Sequence, residues 1–311
     1  MTAADPESSP DGTITFAVAG RPVRVRLSGP EDGSPVLLLH GIARSLEDWT
    51  ASHHLLAAAG YRVISADTPG FGFTAAQRGR PGMRTFARAM AGLLDAVGVE
   101  GPVHVMGNSL GGGIAMTLAV EHPGRVASLV LVDSIGFGTE VNLSPLPMVY
   151  ATAAGLPVVG RRFVPLARAA SVKIAQDQFF DPSFATPEML KHYARVGRQP
   201  DFRRTFLGAA LSLAVPMTGR HPRWRDTLHT GVRELGIPVL VVWGDADTVL
   251  PAASHFEAAR RALPDAQTHL FEDTGHMPQI EKAAEFAALA GAFLAEVDAV
   301  ADGRAASDAN R

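Results

Sequence analysis

Two kinds of hydrophobic pattern run along this chain. Near its start, Thr13-Ile14-Thr15-Phe16-Ala17-Val18 and Val23-Arg24-Val25-Arg26-Leu27 alternate apolar and polar positions, with Gly20 and Pro22 between them. Alternation with period two gives a strand one packed and one wet face, so these segments predict an antiparallel hairpin. Val36-Leu37-Leu38-Leu39 is instead apolar at every position, as a strand covered on both faces must be. Short apolar runs follow at 62–66, 103–106, 129–132, 239–242 and 268–271, with helical patterns between many of them at 52–59, 83–97, 109–121, 252–262 and 283–297. Strands alternating with helices predict an α/β fold, a mostly parallel twisted sheet with helices on both faces.

One interval breaks the rhythm. Between Asp133 and Ile237 lie roughly a hundred residues, far more than one helical crossover needs. It has helical signals of its own. Thr186-Pro187-Glu188 is a cap followed by a first-turn proline, continued over 189–196, and 202–215 reads as another helix. Pro145, Pro147, Pro157, Pro165 and Pro182 fragment the rest, and 148–159 is strongly apolar. A helical insertion between two core strands is expected, placed to act as a lid over an apolar pocket. The expected boundaries are a disordered N-terminus (1–12), a core formed by 13–136 and 236–299, the insertion (137–235) and a frayed, disordered tail (300–311).

Composition narrows the function classes. Of 311 residues, 47% are apolar, enough for a large packed core, and the net charge of −3 gives no argument for nucleic acid or an anionic membrane as partner. No run reaches the length of a membrane span, and the polar start lacks the pattern of a secretory signal. There is no cysteine, which excludes disulfides and fits a cytoplasmic setting. Oligomeric state is left open.

The chemistry centres on Gly107-Asn108-Ser109-Leu110-Gly111, which joins a predicted strand to a predicted helix. A strand, a sharp turn and a helix are what a nucleophile elbow requires. The turn forces its serine into strained backbone and tolerates only small neighbours. The hydroxyl then stands beside the helix N-terminus, where the Leu110 amide can meet a developing oxyanion. A serine hydroxyl needs a base. Of eleven histidines, His276 has the best context, in the loop Asp273-Thr274-Gly275-His276 directly after a strand. His40, His104 and His122 read as structural. The base needs a carboxylate, and the run ending Trp243-Gly244-Asp245-Ala246-Asp247 offers two. Asp133 is the alternative acid, and Asp273 is disfavoured by its closeness to His276. The order Ser109, Asp247, His276 is the one expected with this elbow. Gly70-Phe71-Gly72 follows a strand as a dinucleotide fingerprint would, but Pro69 and Gly79-Arg80-Pro81-Gly82 prevent a helix from opening there. No metal-ligand spacing appears, and no cofactor is called for.

With these residues in view, the chain resembles the α/β-hydrolase superfamily over about 23–297. The resemblance rests on His40-Gly41 after a strand, Asp67-Thr68-Pro69-Gly70-Phe71-Gly72, Gly107-Asn108-Ser109-Leu110-Gly111, Trp243-Gly244-Asp245-Ala246-Asp247 and Asp273-Thr274-Gly275-His276. It implies the α/β-hydrolase fold with a helical cap. It also implies Asp247 rather than Asp245 as the acid, and the Ile42 amide as second oxyanion donor. Haloalkane dehalogenases and most epoxide hydrolases of the superfamily carry aspartate at the elbow, so Ser109 implies an acyl-enzyme. The likeness is nearest to carboxylesterases and to carbon–carbon bond hydrolases of ring-fission dienone acids. Gly107-Asn108-Ser109 resembles the latter group. However, that group places an aromatic after the histidine and a Gly-Pro-Gly-like loop after His-Gly, where this chain has Met277 and Ile42-Ala43-Arg44-Ser45. The run from Asp133 to Asn142 resembles hydrolase-like proteins linked to acetoin catabolism. The expected activity is hydrolysis of a carboxylic ester of a small or medium apolar acyl substrate, with Asn108, Met277, Arg195 and Arg198 as substrate-binding candidates. Cleavage of a dienone acid is the alternative and would use Arg195 or Arg198 to hold a carboxylate. A non-catalytic ligand receptor on this fold is the third reading.

Overall fold

A computed structural model describes residues 12–138, 172–213 and 223–309. Eight strands form one sheet: β1 (Ile14–Val18), β2 (Arg21–Ser28), β3 (Pro35–Leu39), β4 (Arg62–Ala66), β5 (Val103–Asn108), β6 (Val126–Val132), β7 (Val239–Gly244) and β8 (Gln267–Phe271). Their spatial order is β1-β2-β4-β3-β5-β6-β7-β8. The first hairpin pairs antiparallel, Phe16 opposite Val23, with Ala19 and Gly20 both at positive φ in its turn. β2 also meets β4 antiparallel, and every later pairing is parallel.

The continuously apolar strands are explained by what covers them. Leu37, Leu39, Val105, Leu129, Leu131 and Val241 point into one core, packed by helices α2 (Met83–Ala96) and α3 (Leu110–Glu121) on that face. Val36, Leu38, Met106, Val130, Val132, Leu240 and Val242 point into the other. There α1 (Thr50–Ala58) packs against the long last helix, with Trp49 and Phe286 ring centroids 5.8 Å apart. Side chains at successive positions of these strands serve opposite layers, which is why they read as unbroken apolar runs.

Among the described residues, the insertion between β6 and β7 contains the helices α4 (Pro187–Val196), α5 (Phe202–Leu213) and α6 (Arg223–Leu235). The Thr186 hydroxyl caps α4 by accepting the Met189 N–H, as the Thr-Pro-Glu signal implies. The apolar stretch 148–159 lies outside the described residues, as do Pro145, Pro147, Pro157 and Pro165, residue 215, the first eleven residues and the last two. After β7 come α7 (Ala252–Ala262) and, after a short helical turn at Pro278–Glu281, α8 (Ala283–Ala309). α8 runs well past the predicted end at 297, into the stretch expected to fray from 300. Its alanines have the highest helix propensity and carry the helix on through Gly303.

The α1 layer holds a buried histidine. His53 bonds through Nδ1 to the Ser65 hydroxyl at 2.7 Å. Burial, with Arg26 and His54 adding to it, depresses His53 from 6.5 to about 3. A base with a depressed folded value contributes stability that is present above 6.5 and lost as pH falls towards 3, because only the unfolded chain takes up the proton. Stability measured by urea unfolding should therefore drop between neutral pH and pH ~4, and His53→Gln should make that drop shallower.

Candidate active site

The end of β5 turns sharply at Ser109, whose φ of 54 and ψ of −114 lie outside the regions a serine normally occupies. The surroundings over-determine this conformation. The Ser109 N–H donates to Val132 O at 2.9 Å, and its carbonyl accepts from the amides of Gly112, Gly113 and Ile135. Side chains on the flanking glycines would have no room. A Cβ on Gly107 would collide with the backbone of Gly111, and one on Gly111 with the Leu39 carbonyl. The elbow therefore needs glycine at both places so that α3 can start directly above the sheet.

Asn108, just before the turn, is fully buried. Its amide nitrogen donates to Val132 O at 3.3 Å and to His276 O at 3.0 Å. It thus ties the histidine loop to the elbow. His276 is held twice more, by its own N–H to Gln178 O at 2.7 Å and by Nδ1 to Asp247 Oδ2 at 2.8 Å. A carboxylate can only accept, so Nδ1 carries the proton and Nε2 is left as the basic nitrogen. The other oxygen of Asp247 accepts from Val249 N at 2.7 Å and Leu250 N at 3.0 Å. Burial pushes the Asp247 carboxyl up, but His276 and the Leu250 N–H outweigh it and hold the group below its ordinary range.

Asp245 points elsewhere. Its Oδ1 accepts the Thr274 N–H at 3.2 Å and shapes the loop. Glycine is required here too, because a Cβ on Gly244 would strike the carbonyls of Thr274 and Gly275 where the histidine loop crosses β7. Asp133 sits beside the pair: one oxygen each of Asp133 and Asp247 and a ring nitrogen of His276 lie within 4.8 Å of one another.

His40 is structural, as its sequence context implies. Its Nε2 accepts the Thr68 N–H at 2.9 Å, so Nδ1 carries the proton and donates to Gly41 O at 2.7 Å. Burial pushes His40 down, against the pull of Asp67, which keeps the ring neutral and this bracket intact. The bracket fixes the peptide that leads into Ile42. Gly41 passes so close over the elbow that a Cβ there would lie 3.4 Å from Ser109 Cβ. Among the described residues neither the Ile42 nor the Leu110 amide meets an acceptor. The Asp67–Gly72 motif also resolves into contacts. Asp67 accepts the Leu46 and Phe73 amides, a Cβ on Gly72 would collide with its carboxyl, and Gly70 lets Thr205 of α5 approach.

Of the remaining candidates, Arg195 lines a cleft with Glu47, Met189, His192 and Tyr193. Met277 is buried with Phe179 and Ala185, where the insertion rests on the histidine loop. Arg195 and Arg198 are both exposed, Arg195 lying 5.2 Å over the Phe73 ring. Arg44, which the sequence did not single out, is buried and pairs bidentately with Asp48 at 2.7 and 2.8 Å, and Tyr193 of α4 donates to the same carboxylate. The insertion is thereby joined to the segment that follows His40-Gly41.

Glu281 was missed as well. Its Oε1 accepts Gly275 N at 2.8 Å, while Oε2 accepts Phe180 N at 2.8 Å and Asp181 N at 3.4 Å. One side chain clamps the histidine loop to the returning insertion. No periodicity marks it; only the crossing of the two segments gives it three donors. Glu281→Ala should lower kcat roughly tenfold, since a base held loosely loses its near-attack geometry; steady-state kinetics checks this.

A model of the alpha/beta hydrolase fold matches residues 34–283. The 2-hydroxy-6-oxo-6-phenylhexa-2,4-dienoate hydrolase of Burkholderia cepacia is 30% identical over 281 residues, 88% of this chain and 91% of that protein. The dihydrolipoyllysine-residue acetyltransferase component of an acetoin cleaving system from Cupriavidus necator is 33% identical over 93% of this chain and 71% of its own length. Among solved structures, a meta-cleavage product hydrolase from Pseudomonas fluorescens IP01 aligns with a TM-score of 0.69 at 26% identity, covering 91% of this chain and 97% of that one.

Proposed function

The chain belongs to the α/β-hydrolase fold family, and from that premise we propose that it is a serine hydrolase in which Ser109 attacks, His276 moves the proton and Asp247 orients and charges the histidine. The observation that carries this reading is the His276 Nδ1–Asp247 Oδ2 bond, which leaves Nε2 unprotonated in a loop tied to the residue before the serine. Attack forms a tetrahedral oxyanion, and the Ile42 and Leu110 amides are the donors for it. The imidazolium protonates the leaving group, and the neutral ring then activates water to release the acyl group. The insertion 137–235 acts as the lid, and the cysteine-free protein works in the cytoplasm. No helix among the described residues is long and apolar enough to cross a membrane.

The substrate is a carboxylic ester with a small or medium apolar acyl group. Carbon–carbon hydrolysis is the second reading, favoured by the Burkholderia and Pseudomonas relatives. It asks for a cation to hold the dienoate carboxylate, yet Arg195 and Arg198 are exposed and Arg44 gives its guanidinium to Asp48. A panel of p-nitrophenyl esters run beside a ring-fission dienoate separates the two. Short and medium acyl esters should be turned over at least about tenfold more efficiently, by kcat/KM, than the dienoate, a ratio that one unmatched carboxylate easily accounts for. The reverse preference would assign the second reading.

A further inference from the structure

The proton chain of the site does not end at Asp247. Asp133 leaves β6 in a positive-φ conformation (φ 42) and is fully buried. That backbone turn places its carboxyl beneath the end of β7, where Oδ1 accepts the Gly244 N–H at 3.0 Å. Its Oδ2 is buried and receives no hydrogen bond, and one oxygen of this carboxyl lies within 4.8 Å of an oxygen of Asp247 and a ring nitrogen of His276. Two ionised carboxylates cannot share such a space without large repulsion. The two are unequally equipped for charge. Asp247 receives three donors, from His276, Val249 and Leu250. Asp133 has one donor, from Gly244. Charge therefore settles on Asp247 and a proton on Asp133. The orphaned Oδ2 is then the oxygen left to carry that proton, and the Asp247 carboxylate is the acceptor in the cluster.

We propose that Asp133 is protonated at neutral pH and donates its hydrogen to Asp247, a positioning residue that sets how much negative charge faces His276. This rests on the triad reading above and deepens it. Burial and the charge of Asp247 push the Asp133 carboxyl well above its usual range, against the Gly244 N–H. The titratable groups facing it are Asp247, His276 and Glu281. Donation to Asp247 withdraws part of the charge that faces the imidazolium, which is stabilised less than it would be beside a fully charged carboxylate.

The test uses Asparagine as a locked form of the protonated acid: its Nδ2 donates to Asp247 and its Oδ1 accepts from Gly244. Asp133→Asn should keep kcat/KM for a p-nitrophenyl ester within about threefold and leave the acid limb of the pH–rate profile in place. Asp133→Ala removes the donor, so its acid limb should move to higher pH by about half a unit or more. A loss in Asp133→Asn as large as that in Asp247→Asn would show that Asp133 works as a carboxylate and would overturn the proposal. So would an Asp133→Ala acid limb that coincides with the wild type. Carboxyl-carbon NMR of the wild-type protein with labelled aspartate decides the point without turnover or folding of a variant. One buried aspartate should stay protonated through neutral pH, and a spectrum with every aspartate ionised would end the proposal. If no ester is hydrolysed, the kinetic arms fail with the hydrolase reading, while the spectrum still locates the proton.

Discussion

Ser109→Ala should lower hydrolysis of an activated ester by about 10⁴-fold or more, equivalent to at least about 5 kcal/mol of transition-state stabilisation. KM should change little, because the removed oxygen acts in bond formation rather than in holding the acyl chain. The variant should also fold normally. The elbow conformation is imposed by hydrogen bonds from backbone to backbone, with Val132, Gly112, Gly113 and Ile135 as partners, and none of these needs the hydroxyl. Alanine relieves none of the positive-φ strain and adds no atom. Circular dichroism and thermal unfolding should match the wild type, so that loss of rate is attributable to the nucleophile. A variant retaining full turnover would remove Ser109 from the mechanism.

Asp247→Asn should cost about 10³–10⁴-fold in kcat, while Asp245→Asn should stay within about threefold. The two side chains leave the same strand end two residues apart, and the difference lies in what each accepts. Asp247 takes the Nδ1–H of His276 with one oxygen and two backbone amides with the other. An asparagine keeping those two amide bonds on its oxygen turns its NH2 towards His276. Nδ1 must then become an acceptor, the proton shifts to Nε2, and the base is lost. At Asp245 the single bond from Thr274 N is one an amide oxygen accepts as well. Kinetics of the two variants side by side therefore separates the assignments in one experiment, and equal losses would contradict this one.

The fold was legible because each core strand is covered on both faces, so burial writes itself as unbroken runs such as Val36–Leu39 and Val239–Val242. The elbow was legible because close approach admits only glycine at 107 and 111, and sequence shows glycine directly. The order of serine, acid and histidine narrowed the acids to a few positions. Residues whose role depends on one segment crossing another were not legible. Asn108 is one: the histidine loop crosses it and accepts from its amide, a contact between segments far apart in sequence. Met277 is another, packed with Phe179 and Ala185 of the insertion. Glu281 and Arg44 carry no local signal, because their partners lie on segments far away in sequence. The tail at 300 reads as small and polar residue by residue, but a helix already under way continues through alanines.

The central claim is that Ser109 is a nucleophile activated by His276. Its most direct test is treatment of the folded protein with a fluorophosphonate, followed by peptide mass spectrometry. The predicted result is one adduct per chain on Ser109, formed much more slowly in His276→Ala and absent in Ser109→Ala. A folded wild-type protein that acquires no adduct at Ser109, or reacts elsewhere with Ser109 unmodified, would contradict it.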